Sequence, residues 1–395
     1  MAVAVVGRQA VASIRHGHPW VFASAIDQLS SHRDAPGTIR VVTQEGERLG
    51  CGVHDPASPI AIRMWVLGAD ATLDGSVFVE RLKRALAVRS SLFADGRTTA
   101  YRLLNGEGDR TPGFVIDRYG DVAVLRLDGD AARAMAPEWT RDLESILREV
   151  GITTLLDRVS KRNEGSTVAV LFGEPRTTVE VKEHGVPFAV DLIRGQKTGA
   201  FLDQRENRRR IGELIKRRIE AGLGTRLLNL FSYTGGFSVH AALAGATVTS
   251  VDVAAQAHAT AQESFRIAGL DPRPHSFVAA DAFAWLENAK KKGETWDVVI
   301  SDPPSFAPSE KAKMRALSAY RSLHHACADV LAPNGMLVAA SCSSHVGAED
   351  FLGTLDDAAL GRSDLRLLEV HGAPPDHPSL PVFPEGRYLK LAMLG

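Results

Sequence analysis

Cysteine is scarce in this chain: three among 395 residues, Cys51, Cys327 and Cys342. Their spacing fits neither a disulfide framework nor a metal site, so no metal is expected. An odd, sparse set suits a reducing compartment, and a cytoplasmic protein is expected. Long apolar runs are also missing. No stretch approaches the ~20 apolar residues that a membrane helix needs. The N-terminal stretch MAVAVVGRQAVASIRHGHPW has no charged start, no long apolar centre and no small-residue cleavage site. It does not read as a signal peptide. An excess of charge of one sign is absent as well. The formal net charge is −1, so any nucleic-acid surface must be a local patch. Repeats and low-complexity tracts are not found.

What is present is the balance of a globular protein, 45 % hydrophobic and 24 % charged. The length suggests two or three domains. Residues 1–70 read as short strands broken by Pro36-Gly37 and Glu45-Gly46, a small β-barrel. Candidate strands are 3–6, 38–42, 47–53 and 60–66. Residues 71–188 read as a central α+β domain. It holds a helix over 73–93, a hairpin around Tyr119-Gly120-Asp121, and a helix over 137–150 with Pro137 in its first turn. From 189 to 395, short apolar runs alternate with helix-length segments. The runs are 227–231, 247–253, 276–280, 298–301 and 337–341. That pattern predicts a doubly wound parallel sheet, with 365–370 and 388–393 extending one edge.

The first of these runs leads into Phe231-Ser232-Tyr233-Thr234-Gly235-Gly236 and then a helix. The glycine pair permits a tight turn and close approach by a ligand. The next run ends at Asp252, where an acid accepts hydrogen bonds from ribose hydroxyls. The turn lacks the three glycines of a dinucleotide site. It suits S-adenosylmethionine, which has no pyrophosphate to cradle. Asp281, ending the third run, is placed near the adenine.

The fourth run enters Asp302-Pro303-Pro304-Ser305-Phe306. The prolines stiffen this turn and hold the Asp302 carboxylate and nearby carbonyls toward a planar base. Phe306 is placed to stack on that base. The fifth run ends in Ser341-Cys342-Ser343-Ser344-His345. Carbon 5 of a pyrimidine is a poor nucleophile until a thiolate adds at carbon 6. Cys342 sits where such a thiolate is needed, Asp302 where it can steady the adduct through N3, and His345 is a nearby candidate base. Cys51 and Cys327 read as structural.

These residues resemble the RlmI family of bacterial 23S rRNA (cytosine-5) methyltransferases. The resemblance covers essentially the whole chain, through GHPWVF, NGEGDRTPGFVIDRYGD, HGVPFAVDLIRGQKTGAFLDQRENR, NLFSYTGGFSVHA, SDPPSF, SCSSH and FPEGRYLK. It implies a PUA-like RNA-binding barrel, a central α+β domain and a Rossmann-like class I methyltransferase domain. It implies that Cys342 is the nucleophile, and that residues 231–236, Asp252, Asp281 and Asp302 line the cofactor pocket, joined by Gln204 and Arg205. Two departures stand out. Ser305 replaces a lysine of many relatives, and the loop has no Pro-Cys, so Cys342 acts without a second cysteine.

The expected partner is 23S ribosomal RNA or a ribosomal precursor, and the sequence allows a homodimer. Arg205–Arg210 with Lys216–Arg218 form the main basic cluster, in which Arg208 and Arg209 are candidate RNA contacts beside Pro303, Pro304 and Phe306. Lys161-Arg162-Asn163 and Lys290–Lys292 are further clusters. Trp20, after Arg15 and His18, is a candidate stacking platform. A paired base is out of reach of Cys342, so a flipped or single-stranded cytosine is expected. Two other readings stay open at this point: an N-methyltransferase acting on a purine, which needs no cysteine, and a non-catalytic RNA-binding protein.

Overall fold

The computed structural model describes residues 1–30, 35–161 and 165–395. The cluster Lys161-Arg162-Asn163 therefore lies outside the residues whose side chains are described. The chain forms two compact units. One comprises 1–179, 192–200 and 375–386; the other comprises 180–191, 201–374 and 387–395.

The first unit holds two sheets. A six-stranded sheet takes the order 20–21, 62–67, 48–54, 37–42, 2–6, 26–29. Strands 2–6 and 37–42 alternate buried and half-buried residues, as a strand with one face on a core does, whereas 48–54 is buried almost throughout. A five-stranded sheet takes the order 165–172, 154–161, 122–127, 114–119, 100–105. Trp65 and Cys51 of the first sheet share a core with Phe78, Phe114 and Trp139 of the region that follows.

Two expectations need correction here. The helix expected over 137–150 is two helices, Asp130–Trp139 and Leu143–Glu149, and Pro137 lies near the end of the first. Proline there removes one backbone bond, and the helix stops two residues later. Trp20 is not an open platform. Its indole donates to Glu107 at 2.8 Å and its ring meets Phe383 edge-on at 4.6 Å.

The second unit is built on a seven-stranded sheet: β1 (Arg226–Leu230), β2 (Thr247–Asp252), β3 (Ser276–Ala279), β4 (Trp296–Ser301), β5 (Leu331–Ser341), β6 (Leu367–His371) and β7 (Lys390–Leu394). Their order is β3-β2-β1-β4-β5-β7-β6. The first five are parallel, and β7 runs antiparallel to both of its neighbours. Central strands such as Leu227–Leu230 are continuously buried, because both faces are covered.

Helices α1 (Arg205–Glu220), α2 (Gly236–Leu243), α3 (Ala255–Ile267), α4 (Ala282–Lys291) and α5 (Lys313–Asp329) supply that cover. Two apolar clusters result: Ile211, Ile215, Phe237 and Phe265 lie in one, Leu286, Trp296, Tyr320 and Phe351 in the other. The boundary read at 188/189 falls within a hairpin strand, Val186–Asp191. Glu183 and Ala189 tie this hairpin to the second unit, through Arg208 and Ser264. Among the described residues no helix is long and apolar enough to cross a membrane.

Candidate active site

Parallel sheets place their ligands at the carboxyl ends of the strands, where the order reverses. In this sheet β1 and β4 adjoin at that point. The turn after β1 is strained. Phe231, Tyr233 and Gly235 all have positive φ, at 56°, 46° and 75°. For phenylalanine and tyrosine that conformation costs of order 1–3 kcal/mol each and persists only where surroundings impose it.

The surroundings are visible. The Tyr233 and Ala254 amides each donate to one Asp252 oxygen at 2.8 Å, and the Ser232 amide donates to Val251. Each oxygen of Asp252 keeps a lone pair for a further donor. Ser232 Oγ is buried and has no partner among the described residues, the state of a group awaiting a ligand. A side chain at Gly236 would meet Arg208 Cδ at 2.7 Å. These features are compatible with S-adenosylmethionine, which the 231–236 turn and Asp252 could hold. Asp281 is exposed and caps α4, accepting from the Ala284 amide at 2.9 Å.

At the end of β4, the Asp302 carboxylate accepts from the buried Gln204 amide at 2.9 Å, and Gln204 in turn accepts from Asn207 at 2.6 Å. The turn into α1 is therefore what orients Asp302. Pro303 is buried and Pro304 exposed. Phe306 is half-buried and packs on Tyr320, ring centroids 4.9 Å apart.

At the end of β5, Cys342 is half-buried and its Sγ lies 3.9 Å from the Pro303 carbonyl. Tyr320 OH bonds Ser341 Oγ at 2.8 Å and Ser343 Oγ at 3.1 Å, and Ser343 Oγ meets Ser305 Oγ at 3.1 Å. This hydroxyl chain stitches α5, the Asp-Pro-Pro turn and the Cys342 turn together. His345 is turned toward Glu310, at 3.4 Å.

The other two cysteines are core groups. Burial pushes the Cys327 thiol up to about 12, and raises that of Cys51.

Several residues expected to meet RNA are engaged within the protein, some buried and some in surface ion pairs. Arg208 is buried in a two-pronged ion pair with Glu183, its Nε 2.8 Å from Oε2. Burial alone would raise the Glu183 pKa, but Arg208 and His240 outweigh it and hold it at about 2. Arg209 is ion-paired with Glu206 and Glu213. Arg205 is buried and donates to Glu206 at 3.2 Å. Arg218 is buried against the carbonyls of Gly224 and Asn334. Lys290, Lys291 and Lys292 pair with Asp329, Glu287 and Glu294. Glu183 and Tyr320 lie outside every motif of the sequence and Lys390 ends FPEGRYLK, yet each packs into the site or its support. The last carried a signal, a lone cation within the apolar run Tyr388–Leu394.

A strand order with an antiparallel seventh strand, a strained turn after β1 and an acid ending β2 define a class I methyltransferase that takes S-adenosylmethionine. Comparison with known proteins agrees. A family profile described as S-adenosylmethionine-dependent methyltransferase matches residues 151–388, and a PUA-like domain profile matches 5–66. A ribosomal RNA large subunit methyltransferase of Deinococcus radiodurans is 39 % identical over 406 residues, covering 98 % of this chain and 96 % of its own. The ribosomal RNA large subunit methyltransferase I of Shewanella denitrificans is 35 % identical over 384 residues, covering 96 % and 95 %. A solved structure of a putative methyltransferase from Streptococcus mutans covers all of both chains at TM-score 0.87 and 25 % identity. The chain belongs to the ribosomal RNA large subunit methyltransferase I family.

Proposed function

We propose that this protein methylates carbon 5 of a cytosine in 23S ribosomal RNA, with Cys342 as the covalent nucleophile. The observation that carries the reading is the position of Cys342 Sγ. It is half-exposed at the tip of β5 and 3.9 Å from the Pro303 carbonyl, in the turn that bears Asp302. The relatives' names supply the ribosomal substrate class.

S-adenosylmethionine, when bound, supplies an electrophilic methyl group. The protein's part lies on the base. The Cys342 thiolate bonds to carbon 6 as the 5,6 π-bond opens. Negative charge spreads toward N3, where Asp302, held by Gln204, shares a proton. Carbon 5 is then electron-rich enough to accept the methyl group. A base, which water can serve as, then takes the carbon-5 proton; its bonding pair re-forms the 5,6 double bond as the Cys342 thiolate leaves carbon 6, and the proton shared at N3 returns to Asp302. The cytosine is flipped or single-stranded, since a paired base is out of reach.

The test is labelled methyl transfer to 23S RNA from cells lacking the gene, with bisulfite mapping of the product. Cys342→Ala is expected to lower the rate by about 10³-fold or more, since the nucleophile has no substitute. Full activity in Cys342→Ala, with a methylated purine as product, would favour the N-methyltransferase reading instead.

A further inference from the structure

Behind the Cys342 turn lies a buried ammonium that the reaction above leaves unused. Lys390 opens β7 opposite Ser341 of β5, and is only 5 % exposed. Its Nζ donates to the carbonyls of Ser343 and Val346, both at 2.7 Å. Those two bonds bracket the turn that follows Cys342. An ammonium has three donors, so one remains.

No carboxylate lies within ion-pair distance of Lys390 among the described residues. The acid in its surroundings, Asp350, is already paired with Lys313 at 2.7 Å. The other ionisable groups around this turn are Cys342, Asp302 and Tyr320, with His345 turned toward Glu310. Keeping an unpaired cation buried is unfavourable. Burial draws the Lys390 pKa down to about 8, and Cys342 is the strongest opposing influence. An anion next to this ammonium would offset the cost, and the thiolate of Cys342 is the group in place to form one.

We propose that Lys390 is a positioning residue for the nucleophile: its ammonium fixes the 343–346 turn and supplies the positive charge that favours the Cys342 thiolate. This rests on the reading of Cys342 as nucleophile. It also accounts for a cation kept inside an otherwise apolar strand.

The experiment is alkylation of the full-length protein with iodoacetamide between pH 5 and 10, following the Cys342 peptide by mass spectrometry. The wild-type midpoint is expected below the ordinary thiol value of about 8.5. Lys390→Met keeps the stem and removes the charge. It is expected to raise the midpoint by about one pH unit, a roughly ten-fold loss of rate at pH 7. Lys390→Arg is expected to restore most of the difference. A wild-type midpoint at or above about 8.5 overturns the proposal, as does an unchanged midpoint in folded Lys390→Met. Should Lys390→Met fail to fold, the wild-type midpoint decides alone. Alkylation is read without methyl transfer, so failure of this proposal is distinguishable from an active Cys342→Ala, which would overturn the catalytic reading.

Discussion

At the scale of single residues, environment separates groups of the same type. Three cysteines share one side chain, yet Cys327 is sealed in the core with its thiol pushed up to about 12, whereas Cys342 is half-buried at a strand tip. Brief treatment with iodoacetamide at pH 7.5 is therefore expected to label Cys342 alone; comparable labelling of Cys327 would contradict its burial. Arginines separate in the same way. Arg208 looks like a phosphate contact in sequence but is a buried partner of Glu183. Removing one member of such a pair strands the other charge. Glu183→Leu is expected to cost about 3–5 kcal/mol in urea unfolding. A loss under about 1 kcal/mol would mean that Arg208 finds water or another acceptor.

At the scale of elements, the β1–α2 turn, the candidate cradle for the cofactor, abuts the buried Arg208. Its glycine at 236 faces Arg208, which the Glu183 pair prevents from moving aside. Gly236→Val must displace either the turn or the ion pair. It is expected to destabilise the fold by about 1–3 kcal/mol, the usual cost of overpacking. It should also weaken S-adenosylmethionine binding by at least about ten-fold; each ten-fold is about 1.4 kcal/mol. Calorimetric titration checks this, and wild-type affinity would show that the cofactor does not use the turn. Helix α1 is a second joint element. Arg208, Ile211, Ile215 and Arg218 share its buried side, leaving Lys216 and Arg217 exposed. The double variant Lys216→Ala, Arg217→Ala is expected to reduce the salt slope of RNA binding by about 2, whereas Lys290→Ala leaves it unchanged.

At the scale of the whole molecule, buried ionisable groups set the response to acid. Burial lowers the His324 pKa to about 4, partly countered by its bond to the Thr354 carbonyl. Glu183 and Glu206 are held at about 2; burial opposes this, and their cationic partners prevail. In the unfolded chain His324 returns toward 6.5 and the glutamates toward 4.5. The unfolded state then binds more protons than the folded state between those values, so stability falls as pH falls. The melting temperature is expected to be level between about pH 6.5 and 8, to drop toward pH 4 through His324, and to drop further below pH 4.5 through the glutamates. A melting temperature unchanged from pH 7 to pH 3 would contradict this.

The alternation of strands and helices after residue 189, the glycine turn, the acids at the ends of the second, third and fourth strands and the cysteine after the fifth are all legible in the sequence. Those features are local, since side-chain period and turn chemistry are written in neighbouring residues. The misplaced helix at Pro137 shows the limit of that locality, because proline tolerates either end of a short helix and neighbours alone do not say which. Packing across the fold, not local sequence, sets Glu183 against Arg208, Gln204 against Asp302, Phe306 on Tyr320, and Lys390 beneath the Cys342 turn. Each of these pairs joins residues on different elements of the fold. Their charges and rings settle according to burial, which depends on how the sheet brings distant strand ends together.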